Sequence, residues 1–273
     1  MKTAFCTCVQ LGKSCIEEIY RIGGKLDLLI TLNDNQAKEK SGRIYLDSIA
    51  EQHNVPLVKS KNINDLAIID AVKEHEIDWL FIIGWSQIAK KTILDAPRKG
   101  CLGMHPTLLP VGRGRAAIPW AILKGLKQTG VTMFKLDEGV DTGDIVAQVA
   151  IDLREDITAT ELYDLANQAH IKLITDAWPL IQNDTLQLTP QDDSKATVWP
   201  GRTPEDGEIT DSMTIKEADA LVRAVTHPYP GAFIVQDNQR MVIWSARTSK
   251  LKGDIKLADG YLTPIDYEME ELA

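Results

Sequence analysis

The chain has 273 residues, 44% of them hydrophobic and 25% charged, with a formal net charge of -9 at pH 7. That is enough chain to bury a large core, and it is too acidic for the broad basic surface that phosphate neutralisation on nucleic acid requires. No apolar run reaches the length of a bilayer span, and the opening Met1-Lys2-Thr3-Ala4-Phe5-Cys6-Thr7-Cys8-Val9 lacks the long apolar region of a secretory signal, so the expectation is a cytoplasmic protein with no membrane or nucleic-acid partner.

In chain order, Thr3 to Val9 reads as a short apolar strand, and Ser14 to Ile22 as a helix with Ile16, Ile19 and Ile22 at helical spacing. Leu26 to Thr31 is a second strand, Ser48 to His53 a short helix, Val55 to Val58 a strand, and Asp65 to His75 a helix with Leu66, Ile69 and Val72 on one face. Asp78 to Ile83 is the clearest buried strand, and Gly84 ends it. Such alternation predicts an α/β fold: a Rossmann-like, mostly parallel sheet covered on both faces, with ligands at the carboxyl ends of its strands.

Gly130 to Leu136 and Ile145 to Ile151 read as β-rich runs, followed by a long helix. Thr158 and Glu161 form its capping box, Leu162, Leu165, Ala166 and Ala169 its apolar stripe, and Trp178-Pro179 its predicted end. Asn183 to Asp211 is rich in Pro and Gly and is expected to be a linker. Beyond it, Thr214 and Glu217 cap a helix, and strands follow at Ala232 to Val235, Met241 to Ala246 and around Tyr261 to Thr263. The predicted organisation is a catalytic domain over 1–182, a linker over 183–211 and a small α+β subdomain over 212–273.

The four cysteines, Cys6, Cys8, Cys15 and Cys101, fit no zinc or disulfide spacing and read as small buried side chains. The stretch with chemical content is Gly103-Met104-His105-Pro106-Thr107-Leu108-Leu109-Pro110, followed by Gly112-Arg113-Gly114-Arg115. A second Gly-rich turn carries Asp137-Glu138-Gly139-Val140-Asp141-Thr142-Gly143-Asp144. An imidazole on one turn and a carboxylate on another is a usual presentation of a general acid/base and its orienting acid. Whether the two turns lie at the same end of the sheet cannot be read from spacing.

The run from Gly103 to Arg115, with Gly130-Val131-Thr132-Met133-Phe134 and Asp141-Thr142-Gly143-Asp144-Ile145, resembles the formyltransferases that use 10-formyltetrahydrofolate. Arg202-Thr203-Pro204-Glu205-Asp206-Gly207, Leu221-Val222-Arg223-Ala224-Val225 and Pro228-Tyr229-Pro230-Gly231-Ala232-Phe233 are similar to the tail shared by the enzymes acting on methionyl-tRNA and on nucleotide-linked amino sugars. The resemblance implies an Asn-x-His motif plus the Asp of an Asp-x-Gly turn as the catalytic set. His105 and Asp141 match; Gly103 stands where the family has Asn. In the family that Asn helps hold the carbonyl oxygen of the tetrahedral intermediate. Here the Gly103 NH, a water, another side chain or the substrate must compensate, or the chain is a weakened relative.

The same resemblance places the pterin between Trp85-Ser86-Gln87-Ile88 and the loop Asp137, Glu138, Gly139, Val140 to Asp144, with Ile88 and Val140 as apolar walls. It offers Thr107, Arg113 and Arg115 to the acceptor, and implies no metal, since the formyl group is already activated on nitrogen. An acidic, compact chain disfavours tRNA. The expected partner is a small amine, first an amino sugar on a nucleotide and next hydroxyornithine. Folate binding without catalysis is the reading from another class, and a homodimer is left open.

Overall fold

Short apolar runs alternating with amphipathic stretches build a largely parallel sheet in the computed structural model, which describes residues 1–35, 43–85, 87–236 and 238–271. The chain divides into two compact units: Met1–Arg113, Gly130–Ile151 and Ala166–Val198 form one, and Gly114–Thr129, Asp152–Leu165 and Trp199–Ala273 the other.

In the first unit, β1 (Thr3–Cys6), α1 (Gln10–Arg21), β2 (Leu28–Leu32), α2 (Asp47–His53), β3 (Leu57–Ser60), α3 (Leu66–Glu74), β4 (Trp79–Ile82), α4 (Lys91–Leu94) and β5 (Gly100–His105) follow one another. In chain order the short β6 (Arg113–Gly114), α5 (Ala117–Leu123), β7 (Gln128–Lys135), β8 (Ile145–Asp152), α6 (Ala159–Gln182) and β9 (Val198–Trp199) come next, with α5 and the first turns of α6 belonging to the second unit. The sheet order is β3-β2-β1-β4-β5-β7-β8. Strands β1 to β5 pair in parallel, and β7 runs antiparallel to β5, with Gly103 opposite Phe134 and His105 opposite Thr132. The order reverses between β1 and β4, which opens a crevice at their carboxyl ends.

Period-two alternation divides the core between the faces of this sheet. Ala4, Cys6, Leu28, Ile30, Leu80, Ile82 and Cys101 pack with Ile68, Ile69 and Val72 of α3 in one cluster. Phe5, Leu29, Phe81 and Leu102 are buried with the other register, and Phe81 stacks on Phe5 at 5.3 Å and on Trp178 of α6 at 6.4 Å. All four cysteines are buried and none is in a disulfide; burial pushes the Cys101 thiol up to about 12.

In the second unit, α7 (Ile215–Val225) packs on an antiparallel sheet of order β10-β11-β13-β12, built from β10 (Ala232–Gln236), β11 (Gln239–Ser249), β12 (Ile255–Leu257) and β13 (Gly260–Glu271). Both predicted capping boxes form: Thr158 N donates to Glu161 at 3.0 Å, and Thr214 N to Glu217 at 2.8 Å. α5 packs on α7, so residues 114–129 cluster with the C-terminal segment although the sequence placed them inside the first domain. The stretch 183–211 is also no free linker. Thr189 bridges to Ile145, and Thr197 is bonded to Gly112 and Arg113.

Candidate active site

His105 ends β5 at the carboxyl edge of the sheet, and the parallel pairing of β4 with β5 puts the segment after Ile82 at that same edge. Gly84 turns the chain there with φ 67, and a Cβ on it would lie 2.1 Å from Val9 Cγ2, so only glycine fits beside the chain leaving β1. The turn after His105 is pinned from below. Thr132 Oγ1 donates to Thr107 O at 2.7 Å and accepts from Leu109 N at 3.0 Å and Gln148 Nε2 at 2.8 Å, while Gln148 Nε2 also donates to Leu109 O.

The His105 ring is 9% exposed, with Nδ1 3.5 Å from Asp141 Oδ2 and Nε2 2.7 Å from the Gly112 carbonyl oxygen. A carbonyl oxygen only accepts, so Nε2 carries the hydrogen in this arrangement. Nδ1, facing the carboxylate, is therefore the nitrogen placed to exchange a proton. The separation is longer than an ordinary direct hydrogen bond.

Asp141 reaches His105 because its loop is folded on itself. Asp137 Oδ1 accepts from Gly139 N at 3.1 Å and Thr142 Oγ1 at 2.7 Å, Lys135 N donates to Asp144 O at 2.8 Å, and Asp141 adopts φ 55. A Cβ on Gly143 would stand 1.7 Å from Lys135 O, which is why the Asp-x-Gly turn needs its glycine. Gln191, passed over by sequence reasoning, donates from Nε2 to the carbonyl oxygens of Asp141 and Gly143 at 2.8 and 2.7 Å.

The other expected site residues are distributed as follows. Ile88 and Val140 are apolar yet 75% and 56% exposed. Gln87 ties its segment to the turn after β3, accepting from Ile63 N at 3.0 Å and donating to Lys61 O at 2.9 Å, and also accepts from Trp85 Nε1 at 3.1 Å, so it and Trp85 shape the loop that presents Ile88. Ser86 lies outside the described residues. Glu138 is exposed, and Asp137 and Gly139 build the turn. Thr107 is buried, and its Oγ1 has no hydrogen-bond partner among the described residues. Arg113 is buried too, with Nη2 2.7 Å from Asp193 Oδ1 and 2.8 Å from Gln191 Oε1, so its charge is spent inside the protein; Arg115, in the second unit, is exposed. Among the described residues no group of three or more His, Cys, Asp or Glu is arranged to hold a metal ion.

The chain matches the formyl transferase family model over residues 27–177 and the formyl transferase C-terminal domain over residues 202–265. It is 30% identical over 249 residues to the methionyl-tRNA formyltransferase of Agathobacter rectalis, spanning 90% of this chain and 80% of that protein. It is 30% identical over 242 residues to the bifunctional polymyxin resistance protein ArnA of Wigglesworthia glossinidia brevipalpis, 88% of this chain and 36% of that one. Among solved structures, the N-formyltransferase from Helicobacter canadensis, in complex with folinic acid and dTDP-3-aminofucose, superposes with a TM-score of 0.75 at 17% identity, over 98% of this chain and 100% of that one. At that identity the likeness is one of fold.

Proposed function

The chain belongs to the formyl transferase family, and from that premise we propose that it moves a formyl group from 10-formyltetrahydrofolate to the amine of a nucleotide-linked amino sugar. The observation that carries the chemistry is the His105–Asp141 pair, which joins a buried imidazole, locked at Nε2, to a carboxylate at Nδ1. The neutral amine nitrogen bonds to the formyl carbon, and the carbonyl electron pair moves onto oxygen. When that intermediate collapses, the bond from carbon to the folate N10 breaks. The amine nitrogen has lost one proton and N10 has gained one. Asp141 accepts the first, directly or through water, and relays it to His105 Nδ1; the imidazolium so formed stabilises the oxyanion and then delivers that proton to N10.

The folate fits the two exposed apolar side chains at this edge. Ile88 and Val140 would flank the pterin and leave water on binding, while backbone groups of the loop 137–144 would read its donors and acceptors.

For the acceptor, an amino sugar suits a chain of net charge -9 whose β13 exposes Asp266, Glu268, Glu270 and Glu271, since such a surface repels a polyanion. The 30% identity to a methionyl-tRNA formyltransferase favours a second reading, formylation of initiator methionyl-tRNA. One assay separates them. The protein is incubated with 10-formyltetrahydrofolate and, separately, 3- and 4-amino-deoxysugar nucleotides, hydroxyornithine, glycinamide ribonucleotide and methionyl-tRNA, and each acceptor is weighed for a formyl gain. Product on a sugar nucleotide is the expected result. Product on tRNA alone overturns the acceptor, and folate binding with no product on any amine overturns catalysis.

A further inference from the structure

Asp141 sits in the left-handed region, φ 55, a conformation that Asp tolerates better than most residues but still at a cost, so contacts that hold its backbone there matter. Within the loop, Gly139 N and Thr142 Oγ1 both donate to Asp137 Oδ1. From outside the loop, the side-chain amide of Gln191 reaches the backbone of Asp141. Both hydrogens of its Nε2 are used, one on the carbonyl of Asp141 at 2.8 Å and one on that of Gly143 at 2.7 Å.

The orientation of that amide is also dictated. Its Oε1 accepts from Arg113 Nε at 3.1 Å and Nη2 at 2.8 Å, and a guanidinium has only donors, so the oxygen must face Arg113 and the nitrogen must face the loop. Arg113 is fixed in turn by Asp193 at 2.7 Å, and its backbone NH donates to Thr197 O at 2.9 Å. Thr197 Oγ1 accepts from Gly112 N at 2.8 Å, and Gly112 supplies the carbonyl that locks His105 Nε2. One segment, 191–197, thus grips both turns that present the pair.

We propose that Gln191 is a positioning residue that holds the Asp141 carboxylate against His105 Nδ1, an assignment that rests on the reading of the pair as catalytic. It acts through Asp141 and touches no reacting atom. Reaction geometry is steep enough that a shift of about 1 Å costs on the order of 100-fold in rate.

The test is a double-mutant cycle of Gln191→Met, which keeps length and volume but loses both arms, with Asp141→Asn. Turnover is measured with 10-formyltetrahydrofolate and the amine that the wild-type protein formylates, and the ring ¹⁵N signals of His105 are recorded without substrate. Gln191→Met is expected to lower kcat roughly 10- to 100-fold in the wild-type background and less than about twofold in the Asp141→Asn background, with KM for the folate little changed. The His105 Nδ1 signal is expected to move to its Asp141→Asn position. An equal loss in both backgrounds, or a wild-type ring signal, overturns the proposal. Should Gln191→Met not fold, Gln191→Asn, one methylene too short to bridge Arg113 and the loop, carries the same cycle. If Asp141→Asn turns over like wild type, the catalytic reading fails, and the ring signal still decides whether Gln191 holds Asp141 in place.

Discussion

Gly103 and Leu136 fill one space: a Cβ on Gly103 would stand 2.6 Å from Leu136 Cδ2 and 3.2 Å from its Cγ. Two residues before His105, where the family resemblance implies an Asn, an apolar branch from the end of β7 takes the room that the amide would need. Gly103→Asn alone must push Leu136 aside. Combined with Leu136→Ala, the amide gains both room and access to the reacting carbonyl. The double variant is expected to raise kcat about 10-fold or more over wild type, since one oxyanion donor is worth about 10²–10³, and the single variant to gain less. Steady-state turnover checks this. A double variant no faster than wild type would show that the oxyanion is already fully held by another group.

The carboxylate and the conformation of Asp141 are separable. Asn tolerates the left-handed region almost as well as Asp, so Asp141→Asn should melt like wild type while losing about 10²–10⁴ in kcat, the usual worth of a positioned acid/base. Gly143→Ala leaves the carboxylate chemically intact but drives a methyl against Lys135 O, and backbone cannot step aside as a side chain can. Its activity should fall as well, now with a lower melting temperature. Thermal melts alongside turnover distinguish the two. Full activity in Asp141→Asn would remove the carboxylate from the reaction.

Thr107 offers a donor on the His105 turn that finds no partner among the described residues. A buried hydroxyl without a partner destabilises by about 1–3 kcal/mol, so Thr107→Val, which keeps the shape and removes the hydroxyl, should stabilise the protein. If the hydroxyl instead serves the reacting oxygen, kcat falls about 10-fold at the same time. Denaturant unfolding and turnover on one sample read both quantities. A variant that is more stable and equally active would leave Thr107 with no part in binding or catalysis.

What the sequence made legible follows from local physics. The buried run before Gly84 and the two capping boxes are contained within a few residues each, and they appear where expected; α1 and α3 form too, but α1 already starts at Gln10, and Leu66, expected on the apolar face of α3, is 73% exposed in its first turn while Ile68, Ile69, Ala71 and Val72 are buried. The long helix instead runs past Pro179 to Gln182, because Ile181 is still buried and Asn183 N bonds to Pro179 O at 3.0 Å. α5 begins after Ala116 at φ 55 with no capping side chain, so nothing local announces it. β11 and β13 extend beyond their apolar cores because their ends pair with each other and not with a buried face. His105 and Asp141 were visible through Pro- and Gly-rich turns. Gln191, Asp193 and Thr197 were not, since their bonds to the site span between 48 and 85 residues of sequence and their composition reads as linker.

His170 adds a pH dependence that the reaction does not require. It is 1% exposed on α6, and burial pulls its pKa from the ordinary 6.5 down to about 4, with the charge of nearby His105 acting the same way and the 2.7 Å contact of Nδ1 with Ala166 O opposing. Between those values the unfolded chain binds a proton here that the folded chain does not. The stability that follows is therefore fully present above pH 6.5 and is lost progressively as pH falls towards 4, at no more than about 1.4 kcal/mol per pH unit. Below 4 both states are protonated and the dependence flattens. Urea unfolding of wild type and His170→Leu from pH 7.5 to 4 should show the two curves converging across that window, with wild type the steeper. Parallel curves would mean that the imidazole finds a proton in the folded state, and that its burial is not what sets its titration.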